Sequence, residues 1–241
     1  MKRLFDFVFS ILGLIIFSPI FLIFSFIIFL QDGGNPFYQG ERIGLNKKKF
    51  FIVKLRSMRI NAEKSGVDST SNDDERITSI GSFIRKYKID EISQLWNVFR
   101  GEMSIVGPRP NVKKDVDLYT SEENKICNVK PGITDFSSIV FSDEGEILLG
   151  SSDPDLAYNQ LIRPWKSRLA LIYINYSNLI MDIKIIILTI LAIFNKSQAL
   201  HYVVKILEKK GIEKKIIDVV RRNEKLKPYP PPGSNTIITK R

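Results

Sequence analysis

Asp90 and Glu91 stand side by side at the start of a segment, about Ile89 to Phe99, in which Ile92, Leu95, Trp96 and Phe99 recur at helical spacing. Adjacent carboxylates on a helix point about 100° apart, so a nucleophile and a metal or proton handler can be divided between them. The same placement also serves plain dipole complementation, because the unpaired N–H groups of a helix start favour negative charge and keep both acids ionised. The residues alone leave both readings open, and the apolar stripe itself reads as core. Arg109 lies in Gly107-Pro108-Arg109-Pro110. A proline on either side stiffens the backbone, which lowers the entropy lost when a guanidinium holds a phosphate. On a strand read over Lys49–Arg56, Lys54 and Arg56 share one face, and Phe51, Val53 and Leu55 the other. Two cations so placed can grip a phosphate, or simply line a solvated or lipid-facing surface.

The rest of the inventory narrows the chemistry. The chain has one histidine, His201, in a basic tail, and one cysteine, Cys127. Ser-His-Asp and Cys-His catalysis and Cys/His zinc sites are therefore excluded, and a lone cysteine fits a reducing compartment. Any reaction must run on carboxylates, Lys and Arg, with or without a metal ion. With 36 Lys+Arg against 26 Asp+Glu, the formal charge of +10 calls for a polyanionic partner. Anionic membrane lipid and nucleotide phosphates fit that demand. No nucleic-acid module is recognisable, so no nucleic-acid partner is expected.

These residues need elements to carry them. Leu4–Leu30 is an apolar run of 27 residues in which only Asp6 is charged. Pro19 removes a backbone donor, so a helix should break at Ser18-Pro19, with Ser18 returning a hydrogen bond to the freed carbonyl. The halves, about 21 and 16 Å long, are each too short to span a bilayer. Lys2 and Arg3 precede the run and Arg42, Lys47, Lys48 and Lys49 follow it. Basic flanks favour the cytoplasmic side, so a re-entrant helix with both ends on that face satisfies both flanks; a signal anchor with a proline kink is the alternative. Phe37–Ile43 and Lys49–Arg56 read as a β-hairpin, Asn61–Arg76 as an exposed loop, and Thr78 as the cap of a helix over 79–87. Pro131-Gly132-Ile133-Thr134 reads as a turn and the acidic stretch Ser142–Asp155 as a solvated surface. Leu179–Phe194 reads as an apolar helix lying against or under the membrane. Basic helices follow Asn195, and Pro228–Pro232 and beyond read as disordered. The expected organisation is a membrane helix and turn over 1–36, a catalytic domain over 37–194, and a basic tail over 195–241. The fold class is α/β, mainly helical, with the catalytic domain at the membrane interface.

Several blocks in order resemble the bacterial sugar transferase family, the monotopic phosphoglycosyl transferases, in their short form. They are Lys2-Arg3-Leu4-Phe5-Asp6 with Ser18-Pro19, Lys54-Leu55-Arg56-Ser57-Met58, Asp74-Glu75-Arg76-Ile77-Thr78, Ile89–Val98, Gly101–Pro110, Lys130–Thr134 and Asp182-Ile183-Lys184. The resemblance covers residues 1–194. It implies transfer of a sugar-1-phosphate from a UDP-sugar to a polyprenyl phosphate, such as undecaprenyl phosphate, with release of UMP. Asp90 would be the nucleophile that forms a phosphosugar–aspartate, and Glu91 would assist by metal binding or proton handling. Mg²⁺ would sit at Asp90, and Lys54, Arg85 and Arg109 match positions suited to phosphate contacts. The implied place is the cytoplasmic face of a bacterial inner membrane, at the first membrane step of a surface glycan pathway. A homo-oligomer is compatible with all of this. Two departures stand out: Tyr87-Lys88-Ile89 lacks the usual Thr-Ser helix cap, and Asp135-Phe136-Ser137-Ser138 replaces a Gly followed shortly by Gln. The contrasting reading is a non-catalytic basic module that binds anionic lipid or scaffolds a glycan assembly complex.

Overall fold

The computed structural model describes residues 1–240. Its longest element is the helix α1, Lys2–Asp32. The hairpin follows, with β1 (Phe37–Ile43) antiparallel to β2 (Lys49–Leu55). Three short helices, α2 (Ser79–Lys86), α3 (Ile89–Ile92) and α4 (Leu95–Arg100), lead to β3 (Ser104–Val106). After α5 (Lys113–Val116), β4 (Gly132–Thr134) pairs with β3 in parallel. The chain ends in helices: α6 (Phe136–Val140), α7 (Glu144–Ile147), α8 (Pro154–Ala157), α9 (Arg163–Tyr176), α10 (Leu179–Phe194), α11 (Lys196–Lys209) and α12 (Lys214–Arg221). The molecule is mainly helical, as the sequence leads one to expect.

The expected break at Ser18-Pro19 is corrected. The helix continues through Pro19 over 31 residues, a length of about 46 Å. Proline at 19 can leave only the Ile15 carbonyl without its i+4 donor, and the Ser18 hydroxyl donates to that carbonyl at 2.7 Å. With the orphan satisfied, nothing forces the helix to stop.

Both ends of α1 are fastened to the same folded body. At the start, Lys2 reaches the Asp182 carboxylate and the Tyr173 hydroxyl, and Arg3 donates to the Val98 and Phe99 carbonyls at 2.6 and 2.8 Å. The buried Asp6 accepts the Ile105 N–H at 3.0 Å. At the far end, Arg56 forks onto Asp32 at 2.5 and 2.6 Å, and Ile28 is buried against Leu55 and Ile84. Asp182, whose role the sequence left open, therefore ties α9, α10 and the start of α1 together. Between its ends α1 packs on α4, with Gly13 against Leu95 and Phe7 stacked on Phe99.

That packing corrects the reading of the apolar stripe. The expected helix over 89–99 is two helices joined by a tight turn at Ser93-Gln94, where Gln94 and Trp96 donate three residues back. Its buried face carries Ser93, Gln94, Asn97 and Val98, while Trp96 is exposed. The polar side chains turn inward because they seal the free edge of β2. Asn97 accepts from Val53 N at 2.9 Å and donates to the Phe51 carbonyl at 2.7 Å, and Ser93 donates to the Val53 carbonyl at 3.1 Å. They satisfy backbone groups that a third strand would otherwise take. On β2 itself Phe50, Ile52 and Leu55 are buried and Phe51 is exposed.

Three further expectations change. Gly132–Thr134 is a strand, not a turn, because Ser104 N and Gly107 N donate to the Pro131 and Thr134 carbonyls. The acidic stretch is engaged: Asp143 pairs with Lys196 and Arg222, and Glu144 with Lys166. Nor does the chain from Pro228 lie free. Tyr229 stacks on Trp165 with ring centres 4.5 Å apart, Arg168 donates to the Pro230 carbonyl, and Thr120 to that of Pro232. The core that joins α6, α9 and α10 runs on into α11 and α12.

Close backbone approach sets α2 against the exit of β2. An alanine Cβ at Gly81 would lie 1.8 Å from the Ser57 carbonyl oxygen. Gly81→Ala is expected to destabilise the protein by about 3 kcal/mol, and thermal unfolding in detergent, compared with the unsubstituted protein, measures it.

Candidate active site

Glu91 and Asp90 reach their positions because Lys88, at φ 55°, turns the chain sharply between α2 and α3. No side chain caps α3, which follows from the missing Thr-Ser. Ser93 instead holds the turn, its one hydroxyl proton shared between the Asp90 carbonyl at 2.8 Å and the Val53 carbonyl of β2 at 3.1 Å. Across from them, β2 supplies Lys54, and the turn after β3 supplies Arg109.

The four side chains converge. Lys54 Nζ lies 3.5 Å from an Asp90 oxygen and 3.5 Å from a Glu91 oxygen. Arg109 grips Glu91 with both arms, at 2.7 and 3.3 Å, and donates to the Ile133 carbonyl at 2.7 Å. Arg85 is half-buried on α2 and makes no ion pair among the described residues, though its charge is felt at Lys54. Arg56, by contrast, is spent on Asp32. The cation pair read from the strand is thus split, with Lys54 in the site and Arg56 anchoring α1. Lys54, Arg85, Asp90, Glu91 and Arg109 share one neighbourhood, whereas Ser18 and Pro19 belong to the membrane helix.

Electrostatics assign different states to these groups. Burial alone would push the Glu91 carboxyl up, but the charges of Arg109, Lys88 and Lys54 outweigh it and hold it well below the usual carboxylate range. Glu91 is therefore an ionised acceptor. Burial pushes the Lys54 ammonium down, Arg109 and Arg85 add to that, and Asp90 and Glu91 only partly restore it. Burial would also lower Arg109, but Glu91 reverses this and leaves it firmly protonated.

Asp90 is the least committed acid. It is buried, its carboxylate accepts no hydrogen bond among the described residues, and its close ionic neighbour is Lys54. An oxygen with free lone pairs and a nearby cation suits either a nucleophile or a metal ligand. No three His, Cys, Asp or Glu side chains converge to cage a metal among the described residues. Mg²⁺ does not require that, since one or two carboxylates suffice when phosphates and water complete the shell. Asp90 fits that donor set, and Glu91, already held by Arg109, fits it less well.

The sequence reading missed one group in this neighbourhood. Asp135, noted only as a departure from a pattern, is fully buried, and its charge acts on Arg109. The local signal was present, because Asp-x-x-Ser is a helix-capping pattern, but the sequence does not place that cap beside Arg109.

A lysine cannot reproduce the two-armed contact of Arg109 with Glu91. Arg109→Lys is expected to fold and partition to membranes normally yet lose at least about tenfold in turnover. Near-normal turnover would mean that the residue only shapes its turn.

Comparison with known proteins adds the lineage. The family profile described as bacterial sugar transferase matches residues 1–196. A Bacillus subtilis (strain 168) protein, provisionally named as an undecaprenyl-phosphate N-acetylgalactosaminyl 1-phosphate transferase, is 47% identical over 133 residues. That alignment takes in 55% of this chain and 70% of the relative. The exopolysaccharide production protein ExoY of Sinorhizobium fredii is 39% identical over 148 residues, 55% of this chain and 66% of its own length. The undecaprenyl-phosphate galactose phosphotransferase of Salmonella typhimurium is 38% identical over 149 residues, 56% of this chain but only 31% of that protein. With the family profile running from the membrane helix through the carboxylate pair to the end of α10, this chain belongs to the bacterial sugar transferase family.

Proposed function

We propose that the chain transfers a sugar-1-phosphate from a UDP-sugar to a polyprenyl phosphate, releasing UMP. The observation that carries this reading is Asp90: a buried carboxylate with uncommitted oxygens, facing Lys54, with Arg109 and Arg85 close by. The names of the Bacillus and Salmonella relatives support undecaprenyl phosphate as the acceptor, and that of the Sinorhizobium protein supports a surface glycan pathway.

The mechanism runs in two displacements. An Asp90 oxygen attacks the phosphorus that bears the sugar, the bond to the bridging oxygen breaks, and UMP leaves with that oxygen. The enzyme then carries a phosphosugar on Asp90. An oxygen of the polyprenyl phosphate attacks the same phosphorus, the aspartyl bond breaks, and Asp90 returns to a carboxylate. Splitting one displacement into two avoids bringing two anionic substrates together at once. Lys54, Arg109 and Arg85 supply positive charge around the phosphates. Glu91 stays ionised and orients Arg109. Mg²⁺, held at Asp90, would neutralise charge on the donor diphosphate.

Membrane attachment follows from α1 and α10. α1 exposes Leu12, Ile15, Ile16, Leu22, Ile23 and Phe26, and α10 exposes Ile180, Ile183, Ile187, Ile190 and Phe194. Apolar surface of this extent suits the bilayer. Because Lys2 and Asp32 both bind the catalytic body, a helix crossing the bilayer would leave one of these contacts on the wrong side. A helix whose two ends both stay on the cytoplasmic face of the inner membrane keeps both. The exposed Lys205, Lys209, Lys210, Lys214 and Lys215 on α11 and α12 and in the turn between them suit anionic headgroups, each worth about 1 kcal/mol near the surface.

Cysteines placed at residues 2 and 47, with Cys127 replaced, are expected to react with a membrane-impermeant reagent only from the cytoplasmic side. Labelling of residue 2 from outside would overturn the topology.

The covalent step has its own signature. With UDP-sugar and Mg²⁺ but no polyprenyl phosphate, UMP should appear once per enzyme, and the peptide holding residue 90 should gain the mass of a sugar phosphate. Asp90→Asn should abolish both signals, and Glu91→Gln should slow them. Release of UMP only after lipid is added would replace the two-step route with direct transfer.

A further inference from the structure

Asn111 is the first residue after the rigid turn that carries Arg109, and it is held from three sides. Its backbone carbonyl accepts the Ile43 N–H, at the end of β1, at 3.0 Å. Its side-chain amide donates to the Tyr119 hydroxyl at 2.8 Å, and its side-chain carbonyl accepts from the Tyr158 hydroxyl at 3.4 Å. An amide gripped at both its oxygen and its nitrogen cannot turn without losing both bonds. Only Pro110 separates Asn111 from Arg109, and proline fixes its own φ, so the setting of Asn111 passes to the backbone of Arg109. Burial pushes both phenols well above their ordinary range, so each hydroxyl keeps its proton.

The two tyrosines come from distant segments. Tyr119 packs against Ile43, Val116 and Cys127. Tyr158 opens a π-helical turn, Tyr158–Ile162, between α8 and α9, and such turns gather at functional sites. The end of the chain bridges these segments. Thr120, next to Tyr119, donates to the Pro232 carbonyl at 2.5 Å. Gln160, within the π-helical turn, accepts the Tyr229 N–H at 3.0 Å on its backbone carbonyl, and its side chain donates to the Ile238 carbonyl at 2.7 Å. Tyr229 itself is stacked on Trp165 of α9. A strap over 229–238 therefore joins the two walls that grip Asn111.

We propose that Asn111 is a positioning residue for Arg109, and that the C-terminal strap holds its tyrosine clamp closed. Arg109 meets Glu91 and the Ile133 carbonyl and must still direct its fork at a donor phosphate, so its turn has to be fixed at both ends. One end is Pro108, whose carbonyl accepts the Gly132 N–H at 2.9 Å. Asn111 is the other. The inference rests on the phosphoglycosyl transfer reading above.

Tyr119→Phe keeps the ring and its packing but removes the acceptor of the Asn111 amide. It should weaken UDP binding, measured by calorimetry with Mg²⁺, and slow single-turnover UMP release, each by about tenfold. Thermal unfolding in detergent should be nearly unchanged. Asn111→Ala should lose as much, and adding Tyr119→Phe to it should cost little more, because both act through one contact. The decisive arm repeats Tyr119→Phe in Arg109→Lys, where the fork to be positioned is gone. There it should change UDP affinity little. Equal losses in both backgrounds, or no loss in either, would overturn the proposal and leave Asn111 a plain structural contact. For the strap, Tyr229→Ala removes the stack on Trp165 and should weaken UDP binding in the otherwise unchanged protein but not in Asn111→Ala. Unchanged affinity in the first, or equal loss in both, would overturn the strap's part. Wild-type protein that neither binds UDP nor releases UMP from any UDP-sugar would remove the transferase reading, and this inference with it.

Discussion

The sealing of the β2 edge by side chains is the constraint on which the rest of the site depends. β2 has β1 on one side and no strand on the other. Ser93 and Asn97 supply the missing partners, bonding to Val53 N and to the carbonyls of Phe51 and Val53. Ser93 closes α3 and Asn97 lies on α4, so these bonds hold the strand that carries Lys54 beside the helix that carries the dyad. Buried backbone groups must find partners, and here that requirement sets the geometry of the chemistry.

The same sealing turns the α3–α4 region inside out. Once the polar face is committed to β2, Leu95 and Phe99 face α1, and Trp96 is left at the surface. In a protein bathed by water this would expose apolar area without return. Under the membrane attachment proposed above, lipid would solvate that face. The attachments at Lys2, Arg3, Asp6 and Asp32 make the apolar helix α1 part of the folded body that carries the site. Asp182 and Arg56 are central to that attachment and stand outside the site.

Within the site, charge is distributed so that one carboxylate is held and the other is left free. Arg109 and Lys54 converge on Glu91, whose carboxyl is kept well below its usual range by them and by Lys88. Asp90 keeps its oxygens uncommitted beside a single ammonium. Two adjacent acids with like chemistry are thus given unlike environments, which is how neighbouring carboxylates come to take different roles. Asp135, just past β4, is fully buried, and that burial pushes its carboxyl up.

Local patterns in the sequence determined a good deal. The hairpin over Phe37–Ile43 and Lys49–Leu55, the Thr78 cap, the helix Leu179–Phe194 and the hydrogen bond from Ser18 follow from alternation, capping chemistry and the loss of a donor at Pro19. The motif blocks marked Asp90, Glu91, Lys54, Arg85 and Arg109. What the sequence did not determine was which face of an element is buried, because that depends on its neighbour. The inward turn of Ser93 and Asn97 was decided by the open edge of β2, and the parting of Lys54 from Arg56 by Asp32 at the end of α1. Gly132–Thr134 became a strand because β3 offered it a ladder, and the residues around Tyr229 packed because Trp165 and Arg168 were there to receive them. Sequence fixes propensity and charge locally. Contacts between residues far apart in the chain exist only once the tertiary structure satisfies buried polar groups, and those contacts placed the carboxylates against their cations.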